Sequence, residues 1–307
     1  MRTVLAIVGP TASGKTSRAV DVARELDGEI VSGDSRQVYR GMDIGTGKDL
    51  CEYGDVPYHL IDIAEAGHKY NLFEYLRDAS ASVEDIILRG KTAVVCGGTG
   101  MYVESLLGGK RLPEVPANTA LRTSLEGKCL EELAAVLGKM KRLHNVTDLD
   151  SCKRAIRAIE IQQYYIDHPD AACQVVDGKP IKSVIIGVDI PRDERRRRIS
   201  ARLDARLDDG MVDEVRRLVE GGVHPDDLIY YGLEYKFVTR HVIGELSFDE
   251  MRSQLEIAIH QFAKRQMTWF RGMERRGFHI HWLPYDIPRK EFVNRAVELL
   301  NSEESRL

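Results

Sequence analysis

An octapeptide near the start of the chain, residues 9–16, constrains the fold more than any other stretch. It reads Gly-Pro-Thr-Ala-Ser-Gly-Lys-Thr, which matches the phosphate-binding pattern G-x-x-x-x-G-K-[ST]. A short apolar run at residues 3–8 precedes it, and apolar residues at helical spacing follow it. Because such a run is typical of a buried parallel strand, the sequence predicts the strand, loop and helix of a P-loop.

Each residue type in this loop suits the binding of phosphate. Gly9 and Gly14 allow a tight turn whose backbone N–H groups point inward. Lys15 adds a positive charge, and the hydroxyl of Thr16 can bind Mg²⁺. A glycine turn with a purely structural role is the alternative. We predict that a phosphate or diphosphate binds the residues of the loop, which are Gly9, Thr11, Ala12, Ser13, Gly14, Lys15 and Thr16.

The composition is that of an ordinary globular protein. The 307 residues are 43% hydrophobic with a formal net charge of −4, and no run approaches the ~18 apolar residues of a membrane span. No signal-peptide pattern precedes the first strand, so we expect a cytoplasmic protein without membrane attachment. The cysteines form no C-x-x-C pair, which argues against a disulfide framework and a zinc site and predicts that they are reduced thiols. They are Cys51, Cys96, Cys129, Cys152 and Cys173.

An acidic residue, Asp34, follows the second predicted strand at residues 29–32. Ligands of open parallel sheets lie outside the carboxyl ends of the strands, so Asp34 is expected to face the same crevice as the P-loop. Two readings remain open. Asp34 and Ser35 could cap a short helix starting near Arg36, or Asp34 could carry out acid–base or metal chemistry beside a bound phosphate.

The remaining pattern predicts an α/β fold with a P-loop NTPase-like parallel sheet flanked by helices. Further strands are expected at residues 58–63, 92–96, 183–190 and 278–283, and helices at residues 71–89, 192–209 and 245–271. Residues 112–180 depart from this pattern and contain helical stretches at 119–137 and 151–165. We therefore predict a discontinuous core, residues 1–111 and 181–307, and a mostly helical insertion at residues 112–180.

The strand at residues 92–96 ends in Cys-Gly-Gly-Thr rather than in an acid. Many P-loop NTPases place a Mg²⁺-binding acid at such a strand end. The glycine pair suits close approach by a ligand, and a tight turn explains it equally well.

Two further segments of the chain are basic. Helical spacing stacks Arg198, Arg202 and Arg206 on one face, where they are either solvated or directed at the diphosphate. Residues 264–276 carry five Lys or Arg residues against one Glu, which is weak evidence for contact with a nucleic-acid backbone.

Five blocks taken together resemble the tRNA dimethylallyltransferase (tRNA isopentenyltransferase) family. They occur in family order over nearly the whole chain, and the second and the last are far more specific than the P-loop. The blocks are the P-loop at 9–16, Asp-Ser-Arg-Gln-Val-Tyr-Arg-Gly-Met-Asp-Ile-Gly-Thr at 34–46, Val-Pro-Tyr-His-Leu-Ile-Asp-Ile at 56–63, Gly-Gly-Thr-Gly-Met-Tyr at 97–102 and Ala-Lys-Arg-Gln-Met-Thr-Trp-Phe-Arg at 263–271.

The resemblance implies transfer of a dimethylallyl group from dimethylallyl diphosphate to N6 of adenosine 37, beside the anticodon of tRNA. Asp34 would be the general base. Lys15 and Arg202 would bind the diphosphate, and Thr16 would bind Mg²⁺ as the cofactor. The positions implied to contact tRNA are Asp34, Ser35, Arg36, Gln37 and Thr99 around the adenine, Lys153, Arg154 and Arg157 in the insertion at the anticodon stem-loop, and Lys264 and Arg265 at the RNA backbone. A monomer is expected.

Some positions depart from the family pattern. Ile259 and His260 stand where the family usually has Thr-Arg, and the family's Gly-Tyr-Lys-Glu region is altered at residues 231–236. These changes bear on which tRNAs are recognised more than on prenyl transfer. Other functions kept open are a small-molecule P-loop kinase, a non-catalytic RNA-binding protein and prenylation of a free adenine nucleotide.

Overall fold

The computed structural model of the protein describes residues 3–142, 147–172 and 176–305, and it divides into two compact units. The larger unit consists of Met1–Gly109 and Lys179–Leu307, and the smaller unit is Lys110–Gly178. The expected insertion, residues 112–180, thus begins and ends two residues later in the chain than the smaller unit. The prediction of a reduced thiol at Cys173 lies outside the described residues.

Six parallel strands form the sheet of the larger unit. The strands within the described ranges are β1 Val4–Val8, β2 Gly28–Ser32, β3 Tyr58–His59, β4 Thr92–Gly97, β5 Lys110–Arg111, β6 Val176–Asp177, β7 Ser183–Asp189 and β8 Ile280–Pro284. The sheet has the order β3-β2-β4-β1-β7-β8, and β1 lies between β4 and β7 with Leu5 opposite Val94 and Val184. The predicted parallel α/β sheet is confirmed.

Helices flank this sheet. Those of the larger unit are α1 Lys15–Glu25, α2 Leu72–Leu88, α3 Gly100–Leu107, α8 Arg192–Asp208, α9 Met211–Glu220, α10 Pro225–Tyr230, α11 Leu233–Val242, α12 Phe248–Arg275 and α13 Arg289–Glu304, with a 3-10 turn at Leu50–Glu52. Those of the smaller unit are α4 Thr119–Leu125, α5 Leu130–Met140, α6 Cys152–Asp167 and α7 Pro169–Ala172, with a 3-10 turn at Thr147–Leu149. The sequence pattern assigned α2, α8 and α12 to within four residues of their ends, and it assigned none of α9, α10, α11 and α13.

The edge strand β3 is shorter than the prediction of residues 58–63. Leu60 and Asp62 have left-handed φ angles of 65° and 56°, which are incompatible with extended backbone. The strand therefore ends at His59, and the chain turns back toward the residues that follow β2.

The central strands build the main core of the larger unit. Leu5 and Ile7 of β1 pack with Ala19 of α1 and Phe292 of α13, and all four are fully buried. The other three residues of β1 are buried as well, and they point to the opposite face because strand side chains alternate. The P-loop thus directly follows a strand that is buried on both faces.

The long helix α12 begins at a capping box. Ser247 Oγ accepts a hydrogen bond from the N–H of Glu250 at 3.3 Å, and the Glu250 carboxylate accepts one from the N–H of Ser247 at 2.9 Å. Met251, Leu255 and Phe270 on one side of this helix are buried. The cap and the apolar stripe explain why this stretch forms a helix.

The smaller unit is mostly helical, as predicted, and has its own core. Leu133 and Leu137 of α5 pack with Ile159 of α6. The strands β5 and β6 form an antiparallel pair. Glu160 is 1% exposed, and Arg122 Nε donates a hydrogen bond to its carboxylate at 2.8 Å.

In the described ranges, no helix is both long and apolar enough to cross a membrane. The described cysteines are free thiols, namely Cys51, Cys96, Cys129 and Cys152.

Candidate active site

A cavity of about 400 Å³ lies where β1, β2 and β4 end, the edge at which open α/β sheets bind ligands. All of its lining residues belong to the larger unit. The sequence-predicted site residues that line it are Thr11, Lys15, Thr16, Asp34, Ser35, Arg36, Gln37, Thr99, Arg202 and Arg265. The fold thus brings together residues that are as much as 254 positions apart in the chain.

The P-loop leads into α1 without a side-chain cap. Ala12 and Gly14 have φ angles of 61° and 78°, a left-handed conformation that costs a non-glycine residue about 1–2 kcal/mol. Gly14 is the N-cap residue of α1, and no side chain among the described residues caps the first N–H groups of the helix. The N–H groups of Lys15 and Thr16 are therefore available to an anion at the positive end of the helix dipole.

The ammonium of Lys15 lines the cavity with neither an ion pair nor a hydrogen bond to any of the described residues. Burial lowers the pKa of this ammonium from its ordinary value of 10.5, although the nearby Cys96 thiol and Asp34 carboxyl act in the opposite direction. A cation that has lost water without gaining a partner favours the binding of an anion.

Gln266 of α12 ties the P-loop to the turn after β4. Its Oε1 accepts a hydrogen bond from the N–H of Thr11 at 2.9 Å, and its Nε2 donates one to the carbonyl of Gly98 at 2.9 Å. The side chain is 7% exposed, so both bonds are shielded from water. This amide fixes two neighbouring walls of the cavity.

Asp34 does not cap a helix, so that reading of the sequence is wrong. Residues 35–38 form bends and turns rather than a helix, and Asp34 Oδ1 accepts a hydrogen bond from the N–H of Arg36 at 2.9 Å. The adjacent N–H of Ser35 donates to Thr99 Oγ1 at 3.1 Å, which joins the loop after β2 to the loop after β4. The half-buried Asp34 carboxyl lines the cavity and keeps Oδ2 without a hydrogen bond to the described residues.

Glu214 of α9 holds the loop at residues 43–47. Its carboxylate accepts hydrogen bonds from the N–H groups of Asp43 at 2.8 Å, Ile44 at 2.7 Å and Gly45 at 3.1 Å. The hydroxyl of Tyr235 donates to the same carboxylate at 2.6 Å. Glu214 is 5% exposed, and this buried network gives the loop one conformation.

Gln37 connects this loop to β2. Its Nε2 donates to the carbonyl of Gly47 at 3.1 Å, and its Oε1 accepts a hydrogen bond from the Ser32 hydroxyl at 3.0 Å. Two arginines of α8, Arg202 and Arg206, line the cavity beside Gly47.

One wall of the cavity is apolar and aromatic. Ile259, Phe262 and Trp269 of α12 lie there with Met101. Phe262 and Trp269 remain 39% and 38% exposed. Exposed aromatic faces of this kind suit a nucleobase or an apolar chain.

The other predicted positions lie outside the cavity lining. Gly9, Ala12, Ser13 and Gly14 shape the P-loop, and the buried Ser13 hydroxyl has no hydrogen-bond partner in the described part of the chain. Lys264 borders a separate surface groove that also includes Arg265, Arg275 and Arg276. Lys153, Arg154 and Arg157 belong to the smaller unit, where Arg154 pairs with Asp150 and Arg157 pairs with Glu160.

Several lining or supporting residues were not predicted from the sequence. Gln266 lies within a block that carried the family resemblance, so a signal for it existed. Glu214 and Glu234 lie in helices that the sequence pattern did not assign. Of the departures from the family pattern, Ile259 lines the cavity, His260 does not, and residues 231–235 line it.

Comparisons with known proteins show the family of the chain. The sequence model of the family described as IPP transferase matches residues 37–273, and that described as isopentenyl transferase matches residues 2–53. The chain belongs to the IPP transferase family. The tRNA dimethylallyltransferase 1 of Parabacteroides distasonis is 58% identical over 304 residues, which cover 98% of each chain. The tRNA dimethylallyltransferase 2 of Bacteroides fragilis is 58% identical over 95% of each chain.

Solved structures of IPP transferase relatives have the same fold. The tRNA isopentenylpyrophosphate transferase of Bacillus halodurans is 30% identical with a TM-score of 0.73, covering 99% of each chain. A eukaryotic dimethylallyltransferase acting on tRNA is 20% identical with a TM-score of 0.80, covering 100% of this chain and 80% of that one, and its likeness concerns the fold alone.

Proposed function

We propose that this chain transfers a dimethylallyl group from dimethylallyl diphosphate to N6 of adenosine 37, beside the anticodon of tRNA, with Asp34 as the general base. As a member of its family, the chain is a transferase that modifies tRNA by prenylation. One observation carries the detailed proposal: a single cavity contains the phosphate-binding loop, the Asp34 carboxyl and an aromatic wall.

The P-loop would bind the diphosphate of the donor. The uncapped N–H groups of α1 and the unpaired ammonium of Lys15 offer donors and positive charge at one place. Arg202 adds a guanidinium fork suited to phosphate oxygens. The allylic C–O bond breaks with its electron pair going to the diphosphate oxygen, so these groups would stabilise the transition state more than the ground state.

The acceptor amine needs a base because its lone pair is delocalised into the adenine ring. As the new C–N bond forms, N6 loses a proton, and the Asp34 carboxyl, which lines the cavity, would receive it at Oδ2. The hydrogen bond from the N–H of Arg36 occupies Oδ1 and orients the carboxyl. The adenine must leave its stack to reach this carboxyl, and the exposed rings of Phe262 and Trp269 suit an extruded base.

The donor set fits a Mg²⁺ ion that arrives with the diphosphate. Among the described residues no group of three His, Cys, Asp or Glu side chains could hold a metal ion, and the cavity offers the hydroxyl of Thr16. Mg²⁺ usually keeps several waters and binds one or two protein ligands together with substrate phosphates. When bound, it would supply positive charge to the leaving diphosphate.

Two sets of basic residues are proposed to contact the RNA. Lys264 and Arg265 of α12 would contact the tRNA backbone near the cavity, and Lys153 and Arg154 of the smaller unit would contact the anticodon stem-loop. We propose that the enzyme acts as a monomer.

The test is incubation with labelled dimethylallyl diphosphate and, separately, unmodified tRNA, AMP and ATP. We expect label in tRNA. Label in none of the three would rule out the transferase proposal, and label in AMP but not in tRNA would favour modification of free nucleotides. Release of ADP from ATP in the presence of a hydroxyl acceptor would favour a kinase.

A further inference from the structure

Two arginine side chains of α8 meet at one glycine. Arg202 Nη2 lies 2.8 Å from the point that a Cβ on Gly47 would occupy, and Arg206 Nη2 overlaps that point. Gly47 also has a left-handed φ of 63°, so glycine is required there by space and by backbone conformation. The two guanidinium groups therefore lie side by side against the same residue, in the wall of the cavity.

The negative charges around these arginines offset the two cations only in part. Arg202 pairs with Asp49, whose side chain is 42% exposed. Arg206 is only 13% exposed, and its Nη1 is 4.0 Å from Glu234 Oε1, too long for a hydrogen bond. Within the described part of the chain, Arg206 makes no hydrogen bond at all. Burial lowers the pKa of Arg206, and the adjacent charge of Arg202 lowers it further.

An anionic ligand would supply the hydrogen-bond acceptors that Arg206 lacks and would offset the repulsion between the two arginines. Five guanidinium donors without a hydrogen bond are costly when shielded from water, and two like charges side by side repel each other. Lys15 interacts electrostatically with both arginines, so the three cations surround one region of the cavity. A diphosphate, which has two phosphate groups, can accept from both guanidinium forks at once.

We propose that Arg206 is a second diphosphate-binding arginine, which acts with Arg202 on the leaving group of the allylic donor. This inference rests on the proposed function, because it assigns the phosphate in the cavity to a prenyl diphosphate. Glu234, whose carboxylate is 4.0 Å from Arg206 in the free protein, attracts this guanidinium and competes with the diphosphate for it. As the C–O bond breaks and negative charge grows on the diphosphate, the contact of Arg206 strengthens.

A purely structural role for Arg206 predicts different effects of substitution on diphosphate binding. If Arg206 served only to pair with Glu234 and support the loop at residues 43–47, removing either partner would disturb the same contact. Both variants would then weaken ligand binding. If Glu234 competes with the diphosphate, removing its charge strengthens binding, whereas removing Arg206 weakens it.

The experiment is calorimetric titration of the full chain with inorganic diphosphate and Mg²⁺. We expect Arg206→Gln to weaken binding at least 10-fold and Glu234→Gln to tighten it several-fold. Arg198→Gln is the matched control on the same helix, because Arg198 pairs with Glu194 and stacks on Tyr285 outside the cavity. That control should bind as the wild type does.

Prenyl-transfer kinetics provide a second readout. Arg206→Gln should lower kcat/KM for dimethylallyl diphosphate at least 10-fold and leave the KM for tRNA unchanged. Wild-type affinity in Arg206→Gln, or weaker binding in Glu234→Gln, overturns the assignment of Arg206 and leaves the proposed function intact. A wild-type chain that binds no diphosphate overturns the proposed function itself.

Discussion

Gln266 and Thr11 are joined by a 2.9 Å hydrogen bond from the Thr11 N–H to Gln266 Oε1, across 255 positions of the chain. The same amide donates from Nε2 to the carbonyl of Gly98 at 2.9 Å. A side chain near the carboxyl terminus thus determines the spacing between the P-loop and the glycine turn after β4. The cavity depends on α12 even though the phosphate-binding motif lies at the other end of the chain.

Gln266→Ala should impair donor binding more than folding. The substitution leaves the Thr11 N–H and the Gly98 carbonyl without partners in a buried place, and two hydrogen bonds of about 1 kcal/mol each correspond to roughly a 30-fold effect. We expect KM for dimethylallyl diphosphate to rise about that much, measured in steady-state transfer to tRNA. Gln254→Ala, at an exposed position of the same helix, is the control. Equal KM values for the two variants would show that the hydrogen bonds of Gln266 do not support donor binding.

Asp34→Asn should slow transfer severely and spare donor binding. The amide keeps an oxygen that can accept the N–H of Arg36, so the loop geometry persists while the proton acceptor is lost. Loss of a general base costs about 10²–10⁴-fold in rate, so single-turnover transfer should fall by that factor. Titration with inorganic diphosphate should give a Kd close to that of the wild type. Turnover retained in Asp34→Asn or in Asp34→Ala would remove this residue as the base.

Diphosphate binding should be coupled to the protonation of Lys15. Burial lowers the pKa of this ammonium in the free protein, and a bound anion raises it again because the opposite charge favours the protonated form. At pH values between the lowered pKa of the free protein and the higher pKa of the bound state, binding therefore takes up a proton at Lys15, and affinity falls as pH rises.

Calorimetry in buffers of different ionisation enthalpy measures this proton uptake. The matched variant Lys15→Met removes the titrating group and keeps an unbranched side chain in its place. We expect the wild type to take up more protons than Lys15→Met and to bind diphosphate at least 10-fold more tightly. The same number of protons in both proteins would show that Lys15 does not change its protonation on binding.

The sequence predicted the cavity better than it predicted the residues that support it. The P-loop, Asp34 and Thr99 follow strands whose apolar runs are visible, so strand order alone brings them to one edge. Glu214 could not be found in this way. It lies in a helix that was not assigned, and its partners are backbone N–H groups 169 to 171 positions away. No local pattern encodes such a contact.

At the end of β3, tertiary contacts that no local pattern encodes also determine the backbone conformation. Residues 58–63 are apolar enough for a strand, yet Leu60 and Asp62 adopt left-handed φ angles. Lys48, which is 1% exposed, donates a hydrogen bond to the carbonyl of Tyr39 at 2.6 Å and pairs with Asp62. This tertiary network holds a conformation that local propensity opposes.

In the smaller unit, the carboxylate of Glu160 is the centre of a buried ion-pair network. Arg122 and Arg157 both donate to it, and the N–H of Asn118 donates at 2.6 Å. Burial alone would raise the pKa of Glu160, but these donors outweigh it and lower the pKa from 4.5 to about 2. Since the folded-state pKa is depressed, the stabilisation is present above pH 4.5 and is lost as pH falls toward 2.

Two substitutions in α6 should therefore separate stability from RNA contact in the smaller unit. Arg157→Gln removes one of three donors to a buried carboxylate. Because Arg157 is 41% exposed and the other two donors remain, the loss should destabilise this unit by about 1 kcal/mol, seen as faster amide hydrogen exchange in α4 and α6. Lys153→Gln removes an exposed charge without a described ion pair, so it should leave exchange unchanged and reduce the salt dependence of tRNA binding. Glu160→Gln should reproduce the exchange behaviour of Arg157→Gln, because it breaks the same network. Unchanged exchange in both network variants would show that the ion pairs do not stabilise α6.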